Sequence, residues 1–222
     1  MKPRNKPTRG SADQVSELIT NRLSVYVRCL TELEALGVRS ISSDALAERY
    51  HLNAAQIRKD LAYFGEFGTR GVGYQVKELR VHLRQILGVD RHMRVAIMGA
   101  GNLGLALADY AGFRDDGFEV AALFDTSGDK IGSHSRSGVP IHDIRQLKPC
   151  VRKDRIKIGV LAVPAGAAQS VADQVVAAGI KAILNFAPGP LRVPEGVKLK
   201  SVDLTVSLES LSFHLAREDS VV

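Results

Sequence analysis

The chain has 222 residues, 45% hydrophobic and 24% charged, which is enough for one large domain or two modest ones and too apolar for wholesale disorder. Its net charge of +6 favours a polyanionic partner, while two distant cysteines and six scattered histidines show no metal-ligand spacing, so no metal site is expected. No apolar run approaches the roughly 18–20 residues of a membrane span, and Met1–Gly10 lacks the apolar stretch of a signal peptide; a cytoplasmic protein with reduced thiols is expected.

The positive excess lies toward the N-terminus, where residues 1–90 hold 14 Lys and Arg against 10 Asp and Glu. Residues 1–12 carry Lys2, Arg4, Lys6 and Arg9 with no acid and read as a disordered basic arm. A plain solvated tail and a DNA-contacting arm are both open for it. From Val15 to Leu36, apolar residues at Val15, Leu18, Ile19, Leu23, Tyr26, Leu30 and Leu33 keep helical spacing, with Ser11 and Gln14 as a capping box and Gly37 as the stop. Ser42 or Ser43 caps a short helix over Asp44–Tyr50, and Asn53 caps another that runs to Phe64. Gly65–Tyr74 holds four glycines in ten residues and suits a tight β-hairpin. A helix over Gln75–Leu87 and a linker over Gly88–His92 close this part.

The pattern then changes. Arg94–Met98, Val120–Phe124, Ile156–Val163, Ala182–Phe186 and Leu199–Val202 are short apolar runs without clean alternation, as in parallel strands buried on both faces. Helical stretches at Asn102–Gly112 and Gly166–Ala178 fall between them, which predicts a doubly wound α/β domain. Leu204, Leu208, Leu211 and Leu215 form the stripe of a terminal helix. The expected organisation is a basic arm over 1–12, a winged helix-turn-helix domain over 13–88, a Rossmann domain over 89–205 and a terminal helix over 206–222.

Gly99-Ala100-Gly101-Asn102-Leu103-Gly104 follows a strand-like run and opens a helix, and Asp125 ends the next strand 21 residues beyond Gly104. That context marks a dinucleotide site. Gly99 permits the turn, Gly101 lets the backbone approach a pyrophosphate, and Gly104 lets helix and strand pack closely. Helix N–H groups would face the diphosphate, and Asp125 would accept from the adenine ribose and repel a 2′-phosphate, favouring NAD(H) over NADP(H). Ala162-Val163-Pro164 and Asn185-Phe186-Ala187-Pro188, at later strand ends, are expected to complete the crevice. His134 and His142 have no orienting partner in the sequence, and little chain remains for a substrate domain, so no catalytic residue and no enzyme activity are assigned. An oxidoreductase with an accessory domain and a nucleotide- or CoA-binding scaffold are the competing classes.

Three short helices and a glycine-rich hairpin outline a winged helix. On a wheel of 53–64, Ala54, Ile57, Leu61 and Phe64 share one face. Gln56, Lys59 and Tyr63 lie opposite with Arg58 on the flank, able to reach base edges and phosphates, and Arg70 sits at the hairpin tip.

Along about Ser16 to Ala216 the sequence resembles the bacterial Rex family of redox-sensing repressors. The residues that carry the resemblance are Arg22-Leu23 through Tyr26, Arg28, Gln56–Tyr74, the Gly99–Gly104 loop, Ala108–Tyr110, Asn185–Pro188 and Val202-Asp203. The resemblance implies a homodimer in which the terminal helix swaps onto the partner. It also implies repression at inverted-repeat operators in double-stranded DNA, relieved when NADH rises. Arg58 and Lys59 match recognition-helix residues and Arg70 the wing residue. Arg28, Tyr110 and Asp203 match a network that links the nicotinamide pocket to the DNA-binding domain. Leu204 departs from relatives in which an aromatic side chain can cover the nicotinamide.

Overall fold

The computed structural model describes residues 17–69 and 71–218, which divide into two compact units, one ending at Arg91 and one starting at His92. The basic arm, the Ser11–Gln14 capping box, Arg70 and the last four residues lie outside the described residues.

In the first unit, α1 (Glu17–Ala35) presents Leu23, Leu30 and Leu33 to a core completed by Leu46, Ile57, Leu61, Val76, Leu79 and Leu83. Truncating any of these leucines, or Ile57, to Ala would cost about 2–5 kcal/mol through lost transfer energy and the cavity left behind. A two-residue strand, β1 (Ser40–Ile41), precedes α2 (Ser43–Tyr50), which Ser42 caps by accepting the Ala45 N–H at 3.1 Å. His51 ends α2 in the left-handed region (φ 53°), and Asn53 caps α3 (Ala54–Phe64) by accepting the Gln56 N–H at 2.9 Å. The hairpin expected from the glycines is β2 (Gly68–Thr69) and β3 (Gly73–Gln75), antiparallel, with β1 on the other edge of β3. Gly73 has a φ of +90°, and a methyl there would lie 2.5 Å from the Ile41 carbonyl oxygen, so the close approach of β1 requires glycine. α4 (Val76–Ile86) returns against α1.

The second unit is a six-stranded, all-parallel sheet. Its strands are β4 (Met93–Met98), β5 (Phe118–Asp125), β6 (Ile141–Asp143), β7 (Ile158–Leu161), β8 (Ala182–Asn185) and β9 (Lys198–Ser201). They lie side by side in the order β6-β5-β4-β7-β8-β9, the 3-2-1-4-5-6 arrangement of a Rossmann sheet. Ala96, Ile97 and Met98 of the central strand are fully buried, which explains the apolar runs without alternation. The helices are α5 (Asn102–Ala108), α6 (Ala111–Asp115), α7 (Leu147–Asp154), α8 (Ala165–Ala177) and α9 (Leu204–Glu218).

The single helix expected over Asn102–Gly112 is broken in two. The Asp109 carboxylate accepts the Ser137 N–H at 2.8 Å, the Ser137 hydroxyl reaches the Ala108 carbonyl, and Tyr110 is left extended between α5 and α6. α9 starts at Leu204, two residues before the expected Val206, because Asp203 accepts the Thr205 and Val206 N–H groups and caps it. Its apolar side chains Leu204, Val206, Leu208, Leu211, Phe213 and Leu215 are each more than half exposed.

Candidate functional site

The strand order reverses between β4 and β7, and the loops leaving these strands meet there. Ala162 N–H donates to the Met98 carbonyl at 2.8 Å, Gly99 N–H to Phe124 at 2.7 Å, and Phe186 N–H to Leu161 at 2.9 Å. The carboxyl ends of β4, β5, β7 and β8 are thereby tied into one rim, where an open α/β sheet binds ligands.

The loop glycines divide their tasks as the spacing predicts. Gly99 has a φ of +100°, and a methyl on it would lie 2.4 Å from the Ala162 carbonyl oxygen. A methyl on Gly104 would lie 1.8 Å from the Gly99 carbonyl oxygen, so helix and loop pack through it. A methyl on Gly101 would meet no atom within 4 Å. Gly101 therefore lines open space, and as N-cap of α5 it contributes no side-chain cap. Asn102 and Leu103 are exposed in the first turn, whose N–H groups have no acceptor within the helix. Ala100 is buried behind them. This backbone cradle fits a pyrophosphate.

Asp125 stands at the end of β5. One carboxylate oxygen accepts the Thr126 and Ser127 N–H groups at 2.8 and 2.9 Å, and the other accepts the Ala100 N–H at 2.8 Å. Burial alone would raise its pKa; the three backbone donors, aided by Lys130, outweigh that and hold it below the usual carboxylate range. The carboxylate thus also fixes the glycine loop against β5.

Ala162 and Val163 are half-buried at the end of β7, and Pro164 is the exposed N-cap of α8, again without a side-chain cap. Asn185 is fully buried, and its amide is occupied inside the protein. It exchanges hydrogen bonds with both backbone groups of Ala187 at 2.9 Å and donates to the Ser201 hydroxyl at 3.3 Å. Its side chain shapes the Phe186-Ala187-Pro188 turn rather than facing the crevice. Tyr110 is exposed, with its ring edge-on to Phe113 at 5.2 Å, and Asp203 is engaged as the α9 cap. Arg28 is exposed on α1 of the other unit.

The first unit gathers the expected nucleic-acid residues on α3. Lys59 and Tyr63 are exposed along one side of it, with Ala55, Arg58 and Ala62. Arg58 donates to the Ser43 hydroxyl at 2.7 Å and lies 3.3 Å from the Asp44 carboxylate, so the start of α2 holds its guanidinium. Gln56, expected among the residues facing DNA, is turned inward by the α3–α1 packing and donates to Asp60 at 2.7 Å.

Asp60, for which the sequence pattern predicts no role, is the buried hub of this unit. It accepts two bonds from Arg22 at 2.6 and 2.8 Å and one from the Tyr26 hydroxyl at 3.0 Å, and so clamps α3 to α1. The Arg22 guanidinium holds the Asp60 carboxyl below its ordinary pKa against the penalty of burial, with Gln56 and Tyr26 adding to the effect. Burial, and then Asp60, push the Tyr26 hydroxyl up. The i, i+4 spacing of Arg22 and Tyr26 was the available signal, since both then face the same neighbouring helix.

Residues 14–62 match a family model described as a putative DNA-binding protein N-terminus, and residues 90–189 match one described as a CoA binding domain. The redox-sensing transcriptional repressor Rex of Desulfitobacterium hafniense is 46% identical over 91% of this chain and 96% of its own length. This chain belongs to the Rex family of redox-sensing transcriptional repressors. Two solved structures of RSP, a Rex-family repressor, also match. One, in complex with β-NAD+ and operator DNA, is 42% identical over 93% of this chain and 95% of its own, with a TM-score of 0.88. The other, in complex with β-NADH, is 40% identical over 94% and 97%, with a TM-score of 0.82. The Rex relatives are named as repressors, in agreement with reading the chain as a regulator rather than an oxidoreductase.

Proposed function

We propose that this Rex-family chain is a homodimeric repressor that binds inverted-repeat operator DNA through α3 and the β2–β3 wing, and leaves it when NADH fills the crevice at the β4–β7 reversal. The observation that carries this reading is the pairing, in one chain, of a winged helix with an open glycine cradle at the switch point of a 3-2-1-4-5-6 sheet. Relatives bound to NAD+ with operator DNA, and to NADH, support it.

The backbone N–H groups of Gly101, Asn102 and Leu103 would receive the pyrophosphate, and Asp125 the adenine ribose. Ala162–Pro164 and Phe186–Pro188 would flank the nicotinamide end, with Asn185 holding the second of these turns in place. NADH differs from NAD+ there by a hydride and by loss of the ring's positive charge. Asp203 supplies a fixed negative charge at the end of β9, so the two forms meet different electrostatics. Arg28, Tyr110 and Asp203 are proposed as the switch residues. A ligand moves the DNA-binding equilibrium only by its differential affinity for the two states.

On the DNA side, Arg58 would read a base edge, Lys59, Tyr63 and Arg70 would meet the backbone or groove, and Gln56 would act through Asp60 by setting the pose of α3. The exposed apolar stripe of α9 supports exchange of this helix with a second copy. Among the described residues no helix is long and apolar enough to cross a membrane, and an operator-binding protein would work in the cytoplasm.

The test is an anisotropy titration on a labelled inverted-repeat fragment, with NADH and NAD+ added separately. Binding that NADH releases and NAD+ does not supports the reading. Absence of DNA binding, or equal retention with both, contradicts it.

A further inference from the structure

The loop after β5 places a cation beside the acid that marks the ribose end of the crevice. Three of the roughly four acceptor directions of the Asp125 carboxylate are filled by backbone, two on one oxygen and one on the other. The direction left belongs to the oxygen that also accepts from Ala100, and the Lys130 ammonium lies 3.5 Å from that same oxygen. The backbone holds Lys130 in place. Lys130 and Ile131 N–H both reach the Ser127 carbonyl, and Gly132 N–H reaches the Ile141 carbonyl of β6. With its side chain 44% exposed, Lys130 can turn toward a ligand without leaving the loop. A ribose hydroxyl donating to Asp125 must therefore arrive between the carboxylate and the ammonium.

We propose that Lys130 and Asp125 act as a pair that sets the choice between NADH and NADPH. The proposal rests on the crevice being an NAD(H) site. A 2′-hydroxyl donates to the free direction of Asp125 and leaves the ion pair intact. A 2′-phosphate cannot donate there, and the carboxylate's repulsion offsets the attraction of Lys130, so the paired site offers it no net gain. Without the carboxylate charge, Lys130 becomes a free phosphate ligand, with the exposed Thr126 hydroxyl beside it. Coenzyme preference is then a property of two residues rather than of Asp125 alone.

Dissociation constants for NADH and NADPH, read from nicotinamide fluorescence on the full chain, test this in wild type, Lys130→Ala, Asp125→Asn and the double variant. Wild type should prefer NADH. Asp125→Asn should shift the ratio toward NADPH by about tenfold or more, the scale of one charge-assisted hydrogen bond. Adding Lys130→Ala should cancel that shift, and Lys130→Ala alone should move the ratio further toward NADH. A shift that survives in the double variant, or a ratio that Lys130→Ala alone leaves unmoved, overturns the proposal. Asp125 holds three backbone amides, so if Asp125→Asn fails to fold, the Lys130→Ala ratio decides alone. A wild type that binds no NADH refutes the crevice reading itself, which separates the two failures.

Discussion

An alanine methyl at Gly101 would meet no atom within 4 Å, on a backbone with a φ of −81° that any residue adopts. The same methyl at Gly104 would lie 1.8 Å from the Gly99 carbonyl oxygen. Gly101→Ala should therefore keep its ligand-free stability within about 0.5 kcal/mol. It should lose most of the roughly 2.7 kcal/mol that ligand at a hundred times its dissociation constant confers on wild type. Gly104→Ala should fail already in the absence of ligand. Thermal melts with and without NADH separate the two outcomes, and equal NADH shifts in wild type and Gly101→Ala would remove the glycine loop from the site. Asp203 allows a comparable separation of roles, because Asn caps helices about as well as Asp but carries no charge. Asp203→Asn should preserve stability while altering the ratio of operator affinities measured with and without NADH. Asp203→Ala should alter that ratio and also cost about 1 kcal/mol. If Asp203→Asn leaves the ratio untouched, the residue is only a cap. At Asp60 the sign of the pH effect follows from its depressed pKa. The stabilisation is complete above the unfolded value of 3.8 and is lost as pH falls through the lower folded value. Asp60→Ala should cost about 3 kcal/mol at neutral pH, the lower end for a broken buried pair because Arg22 is partly exposed. The deficit of the non-titrating Asp60→Asn should shrink below pH 4 in urea titrations; a deficit independent of pH would contradict the ionised clamp.

At the scale of elements, α9 is the feature that one chain leaves unexplained. Six large apolar side chains on a 15-residue helix are more than half exposed, and each Leu covered by a partner would contribute about 1.5–3 kcal/mol. Leu208→Glu with Leu211→Glu should leave the fold of the chain intact and yield a monomer in sedimentation velocity; a dimer that persists would place the interface elsewhere. Most of the elements were legible in the sequence because their signals are local. The caps Ser42 and Asn53, the glycine-rich hairpin and the buried strands follow from propensity and period. What escaped depends on contacts distant in sequence. β6 has three residues, too few to show a period, and gains its place only by pairing with β5. α7 contains Pro149, which reads as a breaker yet sits in the first turn, where no helical N–H is needed. The break between α5 and α6 comes from the Asp109 tie to Ser137, 28 residues away. The site divides the same way. The glycines and Asp125 are visible by spacing, whereas the inward turn of Gln56, the occupied amide of Asn185 and the Lys130 partner of Asp125 depend on how loops and helices meet.

At the scale of the whole molecule, the proposed function requires two sites in one chain to share one equilibrium. The exposed side of α3 is set by the Arg22–Asp60 clamp and the Arg58 hold on α2, and the crevice is set by the loops leaving β4, β5, β7 and β8. The contacts that set each site lie within its own unit, so regulation requires a coupling free energy between the two, and such coupling is reciprocal. If NADH weakens operator binding, operator must weaken NADH binding by the same factor, expected in the range of about 5–150-fold. The measurement that tests this most directly is the NADH dissociation constant of the full chain, free and saturated with inverted-repeat operator, at one salt concentration. NADH should bind more weakly on the operator, by the factor with which NADH weakens the protein's hold on DNA. An NADH affinity that operator leaves unchanged would contradict it.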